Sequence, residues 1–240
     1  MRLQTILQVL FAACMEGCMT KERFFRVFFY MIGLLVLALG ITLNTKTNLG
    51  VSPLISVAFC VSVLLDANFG DMTLIWYIVF VAVEIGCHIR LKRYKVILAD
   101  ILQIPLSIVF TRFMNLFSDV VPDMTGSVVT RGIFLMVAIA LTGAGIGLTL
   151  NARLIPNPGD GIVQAISDCC GKKVSTVKNI LDAFCVVITI VICLIFAGKW
   201  IGIGAGTILA VIFVGRMVAV FNYFCRDKLL KLSGLEAQAQ

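Results

Sequence analysis

Charge is scarce in this sequence. Asp, Glu, Lys and Arg make up 14% of its 240 residues, against about 25% in a soluble domain. With 60% apolar residues and a mean hydropathy of +1.04, that scarcity excludes a water-soluble globule and makes the chain an integral membrane protein. Histidine is scarcer still: His88 stands alone, which excludes a paired-histidine metal site. No C-x-x-C spacing occurs among the nine cysteines. Cys60, Cys87, Cys185 and Cys193 fall inside apolar segments, where a thiol serves as a small apolar group. No nucleophile–base pair or phosphate loop stands out, so the reading is not an enzyme, with no metal and no cofactor. Gly202-Ile203-Gly204-Ala205-Gly206-Thr207 resembles a nucleotide loop superficially; between membrane spans, small residues serve close helix packing.

What is present is a repeated phrase. Gly40-Ile41-Thr42-Leu43-Asn44 ends one apolar run, and Gly147-Leu148-Thr149-Leu150-Asn151 ends another. Each is followed by a broken polar turn and a short apolar helix, expected over 52–65 and 157–170. Ser52-Pro53 and Asn157-Pro158 mark the two starts, a capping residue followed by proline at the first helical position. Around them stand six runs long enough to span a bilayer, which takes about 20 apolar residues: about Val27–Leu43, Met72–Ile89, Val96–Phe117, Arg131–Leu150, Val174–Phe196 and Ile201–Phe224. The two short helices reach only about 20 Å at 1.5 Å per residue and fit as re-entrant elements, tolerated inside protein or beside a water-filled cavity.

The expected fold class is therefore an all-α integral membrane protein of six transmembrane helices plus two short re-entrant, broken helices. Residues 1–20 read as an interfacial helix, 21–118 as a first repeat, 119–130 as an extracytoplasmic loop, 131–225 as a second repeat and 226–240 as a cytoplasmic tail. Charge agrees with this count. With both termini cytoplasmic, Arg90–Lys95, Arg153, Lys172, Lys173 and Arg226–Lys231 lie inside, while Asp66, Asp71, Asp119 and Asp123 lie outside, as the positive-inside rule requires. Three crossings per repeat invert the second copy relative to the first, an architecture of many secondary transporters. The net charge of +7 thus sets membrane orientation, and nucleic acid is not a partner.

Polar residues within spans are functional candidates. Asn44 and Asn151 end the entering spans, either satisfying frayed helix ends or lining a site. Ser52 and Asn157 head the half-helices. Asp160, at the third position of its half-helix, either caps free N–H groups or handles a ligand or proton. Lys178 and Asp182, four apart, form either an ordinary helix pair or a coupling pair. Asp100 and Gln103 share a face of the third span; Arg112 and Arg216 occupy matching positions in the closing spans and either snorkel or face the interior. Glu84, near His88 and Arg90, reads as interfacial.

Asn157-Pro158-Gly159-Asp160-Gly161, the basic–acidic pair in Val177–Asp182, the glycine-rich Gly198–Thr207 and Asn48–Pro53 together resemble the YitT/YczE-like family of bacterial multi-pass membrane proteins. The resemblance runs over about Gly33–Phe224, departing at Asn157, where a glycine is usual, and at the extra Ala205-Gly206. It implies a transport-related protein of the bacterial cytoplasmic (plasma) membrane and names no substrate. The residues lead to a small-solute transporter or channel with a midplane site at the broken helices, an anion or zwitterion being favoured by the helix N-termini. The alternative is a non-transporting accessory protein that supports another membrane component. Expected partners are the lipid bilayer, a small molecule or ion, and, as an open option, further copies of the chain as a homo-oligomer.

Overall fold

The computed structural model describes residues 21–235; the interfacial helix expected over 1–20 lies outside them. Every regular element among the described residues is helical: α1 (Lys21–Lys46), α2 (Pro53–Leu64), α3 (Phe69–Arg90), α4 (Tyr94–Val120), α5 (Val128–Ala152), α6 (Pro158–Cys170), α7 (Val174–Ile192, continued by a π turn at Cys193–Ala197) and α8 (Ala205–Leu232). Six of these, all but α2 and α6, are long and apolar enough to cross a membrane. The short helices fall where the prolines at their first turns predict.

Three boundaries differ most from expectation: α1 starts at Lys21 rather than Val27, and both ends of the last helix move. The last span starts at Ala205 rather than Ile201, because Gly198 and Gly202 adopt positive φ and hold a turn there. It continues to Leu232 rather than ending near Phe224, so Arg226, Lys228 and Lys231 lie on the helix.

The broadest contact joins α1 to α5. They run antiparallel: Gly33 lies against Leu148 and Thr149, Gly40 against Thr142, and Gly145 against Leu37. A Cβ added at Gly40 would stand 2.6 Å from the Thr142 backbone nitrogen, and one at Gly145 2.5 Å from that of Leu37. Missing side chains let the two backbones touch, the usual means of tight association where lipid removes the hydrophobic drive between helices. On the far side of α5, Gly143 and Gly147 receive Met217 and Phe221 of α8.

The same helix pair is tied at both ends in the same way. The Arg26 guanidinium donates to the Ala152 and Arg153 carbonyls at 3.3 and 3.2 Å. Arg131 donates to those of Thr47 and Asn48 at 2.7 and 2.6 Å. Each arginine near the start of one helix satisfies the carbonyls left over where the other ends.

The short helices are exchanged between the halves. α2 packs on α7, and α6 packs on α3. α2 starts beside the middle of α3, where Trp76 Nε1 donates to the Leu54 carbonyl at 2.9 Å. It returns toward the α3 start, where the Phe59 and Phe69 rings meet edge to face. α6 likewise starts inside, near Tyr77, and ends where Asp168 pairs with Arg93. Lys46–Asp123 and Arg112–Asp71 pair at the opposite end of the bundle.

Gly202–Thr207 takes the packing role expected of it. The Val51 amide donates to the Gly202 carbonyl and the Gly206 amide to the Leu49 carbonyl, at 2.9 and 2.7 Å. The first broken turn thus finds its backbone partners in the second half of the chain.

Gly40→Val and Gly145→Val should each destabilise the protein by about 1–3 kcal/mol, the range for overpacking a close contact, and lower its Tm in detergent. Gly132→Ala on α5, where an added Cβ meets nothing within 4 Å, should leave the Tm unchanged.

Candidate functional site

The two half-helix N-termini meet at the centre. A Cβ at Gly159, second in α6, would lie 3.6 Å from Leu54, second in α2. Asn157 caps α6 by accepting from the Gly159 amide at 3.2 Å. Ser52 precedes α2 without a side-chain capping bond. Tyr77 faces Asn157, near Asp160, and Asp160 lies within electrostatic reach of Lys178. Lys178 Nζ lies 3.7 Å from Asp182 Oδ2. Asp182 is buried, and its other oxygen has no hydrogen-bond partner among the described residues. A void of ≈ 10 Å³, bordered by Tyr30, Gln103, Ser107, Asn157 and Pro158, leaves room for about one water molecule.

Next to this junction lies a second polar group. Glu84, His88, Asp100 and Gln103 are 3%, 6%, 2% and 1% exposed. His88 Nδ1 and Asp100 Oδ2 share a hydrogen bond of 2.7 Å, and Gln103 Nε2 donates to Glu84 Oε1 at 2.9 Å. One ligand atom from each of Glu84, His88 and Asp100 lies within 4.8 Å of the others. The tight turn Leu91–Arg93, with Lys92 at φ 54°, folds α4 back on α3 and brings these faces together.

Room for Glu84 comes from Gly161. A Cβ there would stand 2.6 Å from Glu84 Oε2. Counted from the helix starts, Gly161 holds the place in α6 that Ser56 holds in α2, and Glu84 the place in α3 that Thr189 holds in α7. Ser56 and Thr189 share a hydrogen bond of 2.8 Å. One turn on, Cys60 and Cys193 lie with their sulfurs 3.5 Å apart. The two exchanged contacts are built alike, and one has been opened to admit a carboxylate.

Several sequence expectations need correcting. Glu84, expected at the interface, is buried inside the bundle, as is His88. The expected absence of a metal ligand set meets a cluster with the donors for one, because Asp100 arrives from the neighbouring helix. Asn44 and Asn151 are not equivalent: Asn44 stands nine residues before Pro53, Asn151 seven before Pro158. Asn44 is buried with Oδ1 unpartnered among the described residues. Asn151 instead donates to the Gly147 carbonyl and to Asn222 Oδ1, both at 2.7 Å, which ties α5 to α8. Arg112 and Arg216 are exposed, the first paired with Asp71 and the second 5.5 Å from the Phe213 ring centroid. Neither faces the centre.

Residues 24–223 match a family of unknown function, DUF6198. The chain belongs to that family. Two relatives from Bacillus subtilis (strain 168) align over most of its length. The uncharacterized membrane protein YczE is 28% identical over 203 residues, 83% of this chain and 86% of its own. The uncharacterized protein YyaS is 25% identical over 195 residues, 80% of this chain and 90% of its own. No solved structure matches. The resemblance to YczE-like membrane proteins therefore holds, and this DUF6198 member is a multi-pass membrane protein.

His88→Leu should destabilise this DUF6198 protein by on the order of 3 kcal/mol, since it leaves the Asp100 carboxylate buried without its partner. The double variant His88→Leu/Asp100→Leu should recover most of that loss. Unfolding of both variants in detergent, followed by the Tm, checks the ordering.

Proposed function

We propose that the protein is a small-solute transporter or channel. In this reading its two halves are inverted repeats, its short helices are re-entrant, and the pathway runs where the half-helix N-termini meet. The observation that carries it is the approach of Leu54 and Gly159, with Asp160, Lys178 and Asp182 beside it. Broken helices whose N-termini meet between two structural halves are a common transporter arrangement. The reciprocal arginine ties and the exchange of α2 and α6 support the inverted relation. The termini then lie in the cytoplasm of a bacterial cell, on the basic side.

The charge of the solute follows from what surrounds the junction. A bare pair of helix N-termini favours an anion. Here Asp160 and the Asn157 cap already occupy the α6 terminus, and Asp182 adds a second carboxylate against the single charge of Lys178. That balance favours a cation or a zwitterion and turns away from the anion. A void for about one water corresponds to a closed state, so passage requires one half to rock against the other.

The accessory reading draws on a different observation. α8 is the least buried span, and an apolar groove lined by Val186, Thr207, Ile208 and Val211 separates it from α7. Single cysteines at Ser52, Ala152 and Gly159 in a cysteine-free background separate the two. Transport predicts labelling by small polar reagents, Ser52 from one side and Ala152 and Gly159 from the other. Asp160→Asn and Lys178→Met should then each abolish flux of cationic or zwitterionic solutes in proteoliposomes while expression is unchanged. Absence of labelling at all three positions, with no flux, would favour the accessory role.

A further inference from the structure

We infer that Glu84, His88 and Asp100, with Gln103 in support, form a binding site for one divalent transition-metal ion. The site stands apart from the transport reading and holds whether or not the protein moves a solute.

The donor set is the first argument. Two carboxylates and one imidazole nitrogen converge within 4.8 Å. Ligands held about 2.0–2.2 Å from a four-coordinate ion lie about 3.4 Å apart. Side-chain rotations of about an ångström therefore close the set without moving a helix. Two carboxylates balance a dication, and a neutral assembly is what the interior of a bilayer tolerates. The imidazole discriminates among ions: Mg²⁺ and Ca²⁺ prefer all-oxygen shells, while mixed nitrogen and oxygen donors suit Mn²⁺, Fe²⁺, Co²⁺ and Zn²⁺.

The second argument is independent of the cluster's composition. Glu84 Oε2 and Gln103 Oε1 are buried and have no hydrogen-bond partner among the described residues. Both are acceptors. A buried acceptor without a donor is costly, and two of them beside a His–Asp pair call for a positive occupant. Gln103 Nε2, donating to Glu84 Oε1, also orients a ligand from behind, as supporting residues at metal sites commonly do. Gly161 belongs to the same construction, since any side chain there would displace the Glu84 carboxylate.

Location completes the case. His88 sits in the last turn of α3, just inside the bundle end marked by the Arg93–Asp168 pair. Cys87 stands beside Cys169 and Glu84, so softer donors flank the cluster and need to be separated from it experimentally.

The test uses the full-length protein purified in detergent, stripped with a chelator and titrated with Co²⁺ and then Zn²⁺. The expected result is one equivalent of Co²⁺ per chain, a visible d–d spectrum, and its loss on adding Zn²⁺. Gln103→Leu should weaken binding about 10–100-fold, His88→Gln more than that, and Gly161→Ala should also weaken it. The triple variant Cys87→Ser/Cys169→Ser/Cys170→Ser should bind as the parent does. The proposal is overturned if the parent protein takes up no stoichiometric Co²⁺, which would leave a proton as the occupant. It is equally overturned if His88→Gln binds unchanged, or if replacing the cysteines abolishes binding. Because the first reading is made on the unaltered chain, a variant that fails to fold leaves the test intact.

Discussion

Backbone carbonyls cannot be left bare in a bilayer, and the rest of this structure follows from how the two helix breaks meet that constraint. α1 and α5 both stop before a broken turn, and each leaves carbonyls that its own chain direction cannot satisfy. Arg26 and Arg131 satisfy them across the antiparallel contact. Those arginines reach because Gly40 and Gly145 let the helices touch. The remaining polar groups of the first turn are matched by the glycine turn before α8. The two short helices are thus held from both halves of the chain, α2 packing on α7 and α6 on α3.

Interlocking of like parts makes their differences informative. The α2–α7 contact is filled by Ser56 with Thr189 and by Cys60 with Cys193, small groups that satisfy one another. At the matching places in the α6–α3 contact stand Gly161 with Glu84 and Ala165 with His88. Small residues on α6 make room for larger ionisable ones on α3. A carboxylate inside a membrane protein is expensive, and its equivalent in the other half shows that the packing alone does not require one.

Much of the fold was legible in the sequence because its signals are local. Apolar run length and proline after a capping residue placed all six spans and both short helices, most ends to within a few residues, although α1 starts six residues before its expected start and α8 runs eight beyond its expected end. The centre was only half legible. Asp160, Lys178 and Asp182 were singled out through charge inside apolar runs; Lys178 lies 3.7 Å from Asp182, with Asp160 within electrostatic reach. The equivalence of Asn44 and Asn151 failed because a repeated phrase is a similarity of letters. Packing aligns the halves two residues away from it, at Gly40 with Gly145. Glu84 was assigned to the interface by its nearness to His88 and Arg90. Yet Glu84 and His88 are spaced four apart and Asp100 and Gln103 three apart, on either side of a tight turn. That spacing puts one polar face against another and was the signal to follow. The exchange of short helices had no local signal, since it depends on which half each one meets.

The two acidic centres are neighbours, and their adjacency constrains how they can work. Gln103 and Ser107 border the void beside Asn157, while Gln103 also holds Glu84. Gly161, one residue after Asp160, touches the same Glu84 carboxylate. A shift of α6 relative to α3 therefore moves Asp160 at the junction and changes the space around Glu84 together. A positive charge held between Glu84 and Asp100 would draw the Glu84 carboxylate toward α4 and relieve its contact with Gly161. By linkage, movement of α6 must then alter the affinity for that charge by the same factor.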